Sequence, residues 1–396
     1  MRVGIIGGGI GGLCAAIGLQ RHGADLDVFE RVPAIEPVGA GLSIFGNGLA
    51  ALDSIGIGRR FRELTDTHAA VASGGQRRPD GKWLALLPPG ELPDLRVIHR
   101  SDLHDLLVSA LAPGTLHLGS TCMVEPGVGG EVAVTDAAGA TRTERYDLVV
   151  AADGIRSPTR AGWANDPGLR YAGYSAWRGV TRGPVDLGGK AGETWGRGLR
   201  FGAVPLTDGR VYWFAVATMP AEARIADEFA EVRRLFGAWH EPIPQLLEAT
   251  DPSAVVRHPI HDLAQPLASF RRGRTILLGD AAHAMTPDLG QGGGQAMEDA
   301  ATLAALLAPE ARRTDPDIDA ELDRYDSLRR KRTQPMARMA RLVGRVAQLR
   351  AAPAVVLRDT AIRLTPAGAM ARQVRSLQQW TPPDPSRRGD HGTLRG

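Results

Sequence analysis

The sequence predicts an α/β fold: a Rossmann-like nucleotide-binding domain, interrupted by a second domain on an antiparallel sheet and followed by a helical C-terminal segment. Three observations predict it. Residues 2–30 read as one compact strand–turn–helix–strand unit with a glycine-rich turn. Residues 167–270 gather Tyr171, Tyr174, Trp177, Trp195, Phe201, Tyr212, Trp213 and Phe214, and alternate apolar with polar positions. A buried-strand pattern then returns at 274–278.

Residues 2–6 form a short apolar strand, 7–12 the turn, and 13–22 a helix stopped by Gly23. Residues 25–30 are a second strand, ending on Glu30. Residues 37–48 are glycine-rich without a helical period and read as a loop. Ser101 is the expected N-cap of a helix over 101–111. Short strands at 115–118, 123–125, 131–135 and 141–146 lead to a buried strand over 147–152, which ends at Asp153-Gly154. A helix over 228–239 should stop before Pro242 and Pro244. Residues 295–307 are helical, and 320–347 form a long arginine-rich helix, kinked or broken at Pro335. The expected domains are 1–166, with 67–99 as a candidate contribution to the middle domain, then 167–270, then 271–345 as the second part of the first domain. A helical segment over 346–381 and a disordered tail over 382–396 complete the chain.

Composition narrows the function. The 396 residues are 43% apolar and 23% charged with a net charge of +3, an ordinary globular balance. The pI near 9.1 reflects a small excess without a basic block, so nucleic acid is not an expected partner. Only Lys82, Lys190 and Lys331 are lysines. Cys14 and Cys122 fit no metal-ligand spacing, no metal is expected, and a reducing cytoplasmic location is the simple reading. Residues 3–19 could pass for a leader, but their seven glycines read as strand and turn. No uninterrupted run of apolar residues reaches membrane-spanning length. Residues 339–364 are basic and amphipathic, which fits a helix packed on the main body or, alternatively, one touching a membrane surface. A monomer or a homodimer is expected.

The turn Gly7-x-Gly9-x-x-Gly12 is a weak signal alone, but here it follows a strand, opens a helix and precedes an acid, Glu30, at the expected distance. Gly7 allows the tight turn, Gly9 a close approach to a pyrophosphate, and Gly12 close helix packing. The helix N-terminus offers N–H groups to phosphate. Glu30 suits ribose hydroxyls and repels a 2′-phosphate. The loop alone does not separate FAD from NAD.

Two more segments bear on that choice. The first runs from Asp147 to Arg160 and contains Asp153-Gly154; the second runs Gly279-Asp280-Ala281-Ala282-His283-Ala284-Met285-Thr286-Pro287, then Gly290-Gln291-Gly292-Gly293-Gly294. With the N-terminal loop, they resemble the three fingerprints of the single-component FAD-dependent aromatic hydroxylases, the p-hydroxybenzoate hydroxylase-like family, over residues 1–345. Pro37-Val38-Gly39-Ala40, Arg170 to Tyr174 and Tyr325 to Arg329 are similar to the salicylate hydroxylase, zeaxanthin epoxidase and urate hydroxylase branch.

The resemblance implies a Rossmann-like FAD-binding domain with an inserted antiparallel-sheet substrate domain. It implies that Asp280 binds the ribityl hydroxyls, Pro287 lines the flavin face, and the helix after Gly290, Gln291, Gly292 and Gly293 points at the flavin N1–O2 edge. Arg100 matches a pyrophosphate-contacting arginine, and Gly279, Ile10, Gly11, Arg31, Ser43 and Met123 fall at cofactor-contacting positions. Asp153 matches an element tied to FAD and nicotinamide use; a turn-forming Asp-Gly is the alternative. His283 reads as a packing or hydrogen-bonding residue rather than a general base.

The implied reaction is a monooxygenation. NADPH or NADH reduces FAD, O2 adds to give a flavin C4a-hydroperoxide, and oxygen passes to an aromatic or polycyclic small molecule, hydroxylating or epoxidising it. No catalytic residue is assigned; Arg200, Tyr212 and Trp177 are the substrate candidates, each with a structural alternative as a strand arginine or core aromatic. The position that carries an Asn in the urate branch is Ala176 here, which argues against urate. A flavin dehydrogenase, a halogenase and a non-enzymatic flavin-holding scaffold are the alternatives. Halogenase pattern Gly-Trp-x-Trp-x-Ile-Pro is absent, since Gly162-Trp163-Ala164-Asn165 does not match it.

Overall fold

The computed structural model describes residues 1–34, 41–71, 74–87, 90, 94–124, 130–314 and 316–384. Its central sheet grows from strands apolar on both faces, such as Leu148–Ala151 and Thr275–Leu277, which must be covered on both sides. Leu116–Leu118, Asp25–Glu30, Arg2–Ile6, Leu148–Ala151 and Thr275–Leu277 are parallel neighbours in that order, with Arg271–Arg272 antiparallel at the edge. Helix Ile10–Arg21 starts earlier than the apolar period indicates, because glycines in its first turn carry no apolar signal. It packs on helix Gly292–Leu307 through Gly18, where a Cβ would lie 2.7 Å from Ala304 Cβ. A three-stranded antiparallel sheet, Thr121–Val124, Glu131–Thr135 and Thr141–Arg145, lies beside this domain.

A seven-stranded sheet forms the second layer, in the order Val256–Leu263, Leu169–Val180, Val211–Thr218, Leu199–Pro205, Gly192–Trp195, Gly74–Arg77 and Trp83–Leu87. The last two strands come from the 67–99 segment. Side chains alternate between its faces. The outer face packs Trp177, Phe201 and Trp213 against helices Glu228–Phe236 and Ile243–Glu248. The inner face carries Tyr174, Arg178, Arg200, Tyr212 and Phe214 and turns toward the first domain. Tyr212 abuts Gly41 there, at 2.4 Å from where a Cβ would be, and Tyr174 and Arg200 both reach Asp288.

Several local expectations are corrected. Part of the expected loop 37–48 is strand Gly41–Ile44, paired with Arg96–His99, and the start of helix Gly46–Ser54; glycines without side chains hide both periods. Pro37-Val38-Gly39-Ala40 lies outside the described residues. The helix expected from Ser101 is Arg100–Val108, with His99 at its N-cap and the Ser101 hydroxyl bonded to His99 Nδ1 at 2.6 Å. Helix Glu228–Phe236 ends at Gly237, and Pro242 and Pro244 open the next helix, Ile243–Glu248, where a missing N–H costs nothing. Helix Asp319–Ala347 runs unbroken through Pro335.

Helices Ala352–Leu364 and Ala367–Gln378 follow, and Val356, Leu357 and Leu364 are exposed on the first of them. Of the expected disordered tail, residues 385–396 lie outside the described residues. Among the described residues, no helix is long and apolar enough to cross a membrane. Cys14 and Cys122 are both free and buried, and burial pushes each thiol up to about 12.

Candidate active site

The three motifs meet at the C-terminal edge of the parallel sheet, where ligands bind in such folds. Gly7 leaves its strand with φ +110°, and its N–H donates to Phe29 O at 2.8 Å; a Cβ there would lie 2.3 Å from Ala152 O. A Cβ on Gly12 would lie 2.0 Å from Gly7 O, so turn and helix touch only because Gly12 has none. Gly9, by contrast, faces space with nothing within 4 Å. Glu30 braces this loop: Oε2 accepts from Gly8 N–H at 2.8 Å and Oε1 from Val32 N–H at 3.1 Å. His104 Nε2 holds Gly8 O from the other side at 2.8 Å, a contact the sequence did not signal.

Asp153 accepts from Thr159 N–H at 3.1 Å through Oδ2, whereas Oδ1 is buried without a partner. Arg160 ties this second motif to the third, donating to Asp166, Ile155 O and Ala281 O. Met123 is 68% exposed, on a strand lying beside Asp25–Glu30 and helix Pro158–Ala161. Arg31 is exposed and Ser43 half-buried.

Gly279 (φ +64°) turns the chain into Asp280. Asp280 is sunk deep among protein atoms yet keeps solvent-exposed surface, the signature of a group on a groove floor. Burial raises its carboxyl above the ordinary range, against the lowering fields of His283, Arg100 and Arg160. The turn is held from beneath by Asp299, whose Oδ2 accepts from Gly279 N–H at 2.8 Å and pairs with His283 Nε2 at 2.6 Å. Asp299 and Glu298 are buried against Arg329, which lies 2.7 Å from Glu298 Oε2. Burial opposes ionisation of Asp299, but His283 and Arg329 outweigh it and hold the carboxyl below the usual range. His283 is thus a buried structural donor, its ring tilted against that of Phe270.

Gly290 (αL) and Gln291 open helix Gly292–Leu307. Gly292 has nothing within 4 Å of a Cβ position, and the N–H groups of the first helical turn have no acceptor within the helix. Pro287 is exposed, while the carboxylate of the next residue is not. Asp288 Oδ1 accepts from Arg200 Nη1 at 2.7 Å and Oδ2 from Tyr174 O–H at 2.6 Å, clamping the third motif to the inner face of the large sheet.

Of the substrate candidates, Arg200 and Tyr212 lie on that inner face. The Tyr212 ring is buried, which raises its phenol, but its hydroxyl has no partner among the described residues. Trp177 lies on the outer face, fully buried, with Nε1 donating to Glu228 at 2.7 Å, so it lines no part of the cleft. A cavity of about 30 Å³ on the outer side, lined by Arg77, Thr194 and His240, holds little more than water. The sequence did not single out Asp288, Asp299 or Arg178. For the first two, the signal was an acid within or just after the third motif.

The donor set fits FAD. An open glycine cradle, an unpartnered buried Asp153 oxygen, a groove-floor carboxylate and a free helix N-terminus line one edge of the sheet. Residues 1–340 match the family described as FAD binding domain. The chain is 37% identical over 395 residues to aurachin C monooxygenase/isomerase of Stigmatella aurantiaca, covering 96% of this chain and 98% of that one. It is 34% identical over 354 residues to the FAD-dependent urate hydroxylase of Klebsiella pneumoniae subsp. pneumoniae, covering 86% and 89%. The solved structure of Klebsiella pneumoniae HpxO complexed with FAD and uric acid superimposes with a TM-score of 0.83 at 28% identity, over 96% of each chain. The chain therefore belongs to the FAD-binding family of aromatic-hydroxylase-type monooxygenases and is an FAD-dependent oxidoreductase.

Proposed function

We propose that the protein uses NADH or NADPH and O2 to insert one oxygen atom into a planar aromatic or heteroaromatic small molecule held between FAD and the inner face of the seven-stranded sheet. The observation that carries this reading is the Asp288 clamp, which fastens the third motif to that face. Bound FAD supplies the redox chemistry: reduced by the nicotinamide, it activates O2 and delivers one oxygen atom.

The chain's own residues position and enclose. Gly7, Gly9 and Gly12 cradle the pyrophosphate with the N-terminus of helix Ile10–Arg21, and Glu30 receives the adenosine ribose. Arg100 and Asp153 complete the nucleotide side. Asp280, an acceptor when ionised, takes the ribityl hydroxyls. The N-terminus of helix Gly292–Leu307 stabilises negative charge on the flavin edge. Pro287 and the inner-face aromatics exclude water from the reacting ring. Tyr212, on the inner face, is a substrate candidate. Ala176 supplies no side-chain hydrogen bond where the urate branch has an Asn, which argues against urate as the substrate.

Purified protein should be yellow and release FAD on denaturation. An aromatic panel should contain compounds that accelerate NAD(P)H oxidation and gain the mass of one oxygen. A colourless protein that cannot be reconstituted, or flavin without any nicotinamide oxidation, overturns the proposal.

A further inference from the structure

We infer that helix Ala352–Leu364, together with the last turns of helix Asp319–Ala347, is a docking surface for an anionic phospholipid bilayer, on which the protein lies peripherally. The inference is independent of the oxygenation chemistry proposed above.

Helix Ala352–Leu364 is amphipathic in the reverse of the usual sense for a surface helix in water. Pro353, Val356, Leu357, Thr360, Ala361 and Leu364 recur at helical spacing on one face, and all six are exposed. Val356, Leu357 and Leu364 are 64%, 72% and 77% exposed, so they stand on a ridge and not in a groove. The ions lie on the opposite face. Arg358 and Asp359 are buried, with Arg358 Nε donating to Asp359 Oδ1 at 2.9 Å. Arg358 Nη1 also donates to Ala347 O and Gly196 O, each at 3.1 Å. These bonds pin the helix to the end of helix Asp319–Ala347 and to the turn after strand Gly192–Trp195, and so hold the apolar face outward.

Helix Asp319–Ala347 adds to this surface. Arg338, Leu342, Arg345 and Val346 share one face of its last turns, and all four are exposed. Five of the eleven large apolar side chains exposed among the described residues therefore fall between residues 342 and 364. Clustered apolar exposure of this kind marks an interaction site.

Charge selects the occupant. The whole chain is nearly balanced, with 47 basic and 44 acidic residues. Residues 338–364 instead hold six arginines against Asp359 alone, and that acid is bound to Arg358. Arg338, Arg345, Arg350 and Arg363 are exposed on the two helices and the turn between them. Apolar side chains flanked by cations suit acyl chains beneath phosphate headgroups, with each arginine reaching the headgroups over its own apolar stem. A second copy fits badly, because a twofold contact would set these arginines against one another with no acid of this segment between them. A rigid acidic protein would need a groove to receive the protruding side chains; a fluid bilayer needs none.

The test is flotation of the FAD-loaded protein with vesicles of phosphatidylcholine alone, and with vesicles in which about 30% is replaced by phosphatidylglycerol. The anionic vesicles should bind at least ~10-fold more tightly, and added salt should release the protein. Val356→Ser/Leu357→Ser should weaken binding by at least ~10-fold. Arg345→Gln/Arg363→Gln should weaken binding to the anionic vesicles by about 10- to 30-fold and flatten the salt dependence. Flavin content and melting temperature equal to wild type exclude misfolding in both variants. No flotation with either vesicle, equal flotation with both, or unchanged binding in either variant overturns the inference. So does a wild type that elutes as a dimer split by Val356→Ser/Leu357→Ser, which gives the face to a second copy. Binding to soluble poly-glutamate as tight as to the anionic vesicles also overturns it and gives the face to an acidic protein.

Discussion

Arg200, on the large sheet, and Asp288, beside Pro287 in the third motif, form an ion pair of 2.7 Å with both side chains buried. Tyr174 completes it by donating to the other carboxylate oxygen. This clamp joins the two walls of the proposed chamber. Removing one buried partner leaves an uncompensated charge, at about 3–5 kcal/mol. Asp288→Asn should lower stability by that order in denaturant unfolding. The double variant Asp288→Asn/Arg200→Gln should recover a measurable part of the loss, and additive losses would show that the pair is uncoupled.

Asp299 organises the turn that presents Asp280. Its carboxyl is held below the ordinary range, so its contribution is present above the unfolded pKa and is lost as pH falls through the folded one. Wild-type stability should therefore fall on acidification through the carboxylate range. Asp299→Asn should cost about 3–5 kcal/mol near neutral pH and give a shallower acid slope. Urea midpoints at several pH values check both; parallel slopes would remove Asp299 from the account.

What the sequence disclosed depended on distance. Gly7, Gly9, Gly12 and Glu30 were legible because a turn and a strand end constrain them within one unit. Asp280 and Asp153 were found through motif order, and the structure brings them to the same sheet edge. Arg200 and Asp288 lie 88 residues apart, with no local periodicity to connect them. Arg329 was one arginine of a long arginine-rich helix, marked out only with Tyr325 by the family resemblance, yet it is buried on Asp299 and Glu298. Trp177 and Tyr212 have the same aromatic character in alternating strands. Which face turns toward the cofactor is decided by the packing of Gly41 and Asp288, which no strand pattern contains.

Gly9 and Gly12 separate cofactor contact from fold. Gly12→Ala forces a Cβ to 2.0 Å from Gly7 O, so the turn must deform and soluble protein or stability should be lost. Gly9→Ala meets nothing within 4 Å and its backbone is extended, so the apoprotein should stay within about 1 kcal/mol of wild type. The added methyl would occupy the space assigned to the pyrophosphate, and FAD should be released at least ~10-fold more readily. Flavin content after gel filtration, with apoprotein melting curves, distinguishes the two. Normal FAD retention in Gly9→Ala would move the phosphates elsewhere.

Asp280 should trade stability for cofactor binding. Burial raises its carboxyl, so the folded apoprotein holds the proton more tightly than the unfolded chain. Stability contributed at low pH is then lost as pH rises past the ordinary carboxylate value and through the raised one. Asp280→Asn removes the charge that burial disfavours. It should melt at or above the wild-type temperature as apoprotein at pH 8, with the advantage shrinking toward pH 4. With FAD present the order should reverse, because the amide is a weaker acceptor for the ribityl hydroxyls than a carboxylate. Binding to the native state stabilises it in proportion to ligand affinity, so the FAD-induced rise in melting temperature should be smaller in the variant. A variant that is less stable as apoprotein and equally stabilised by FAD would assign Asp280 to the fold instead of the cofactor.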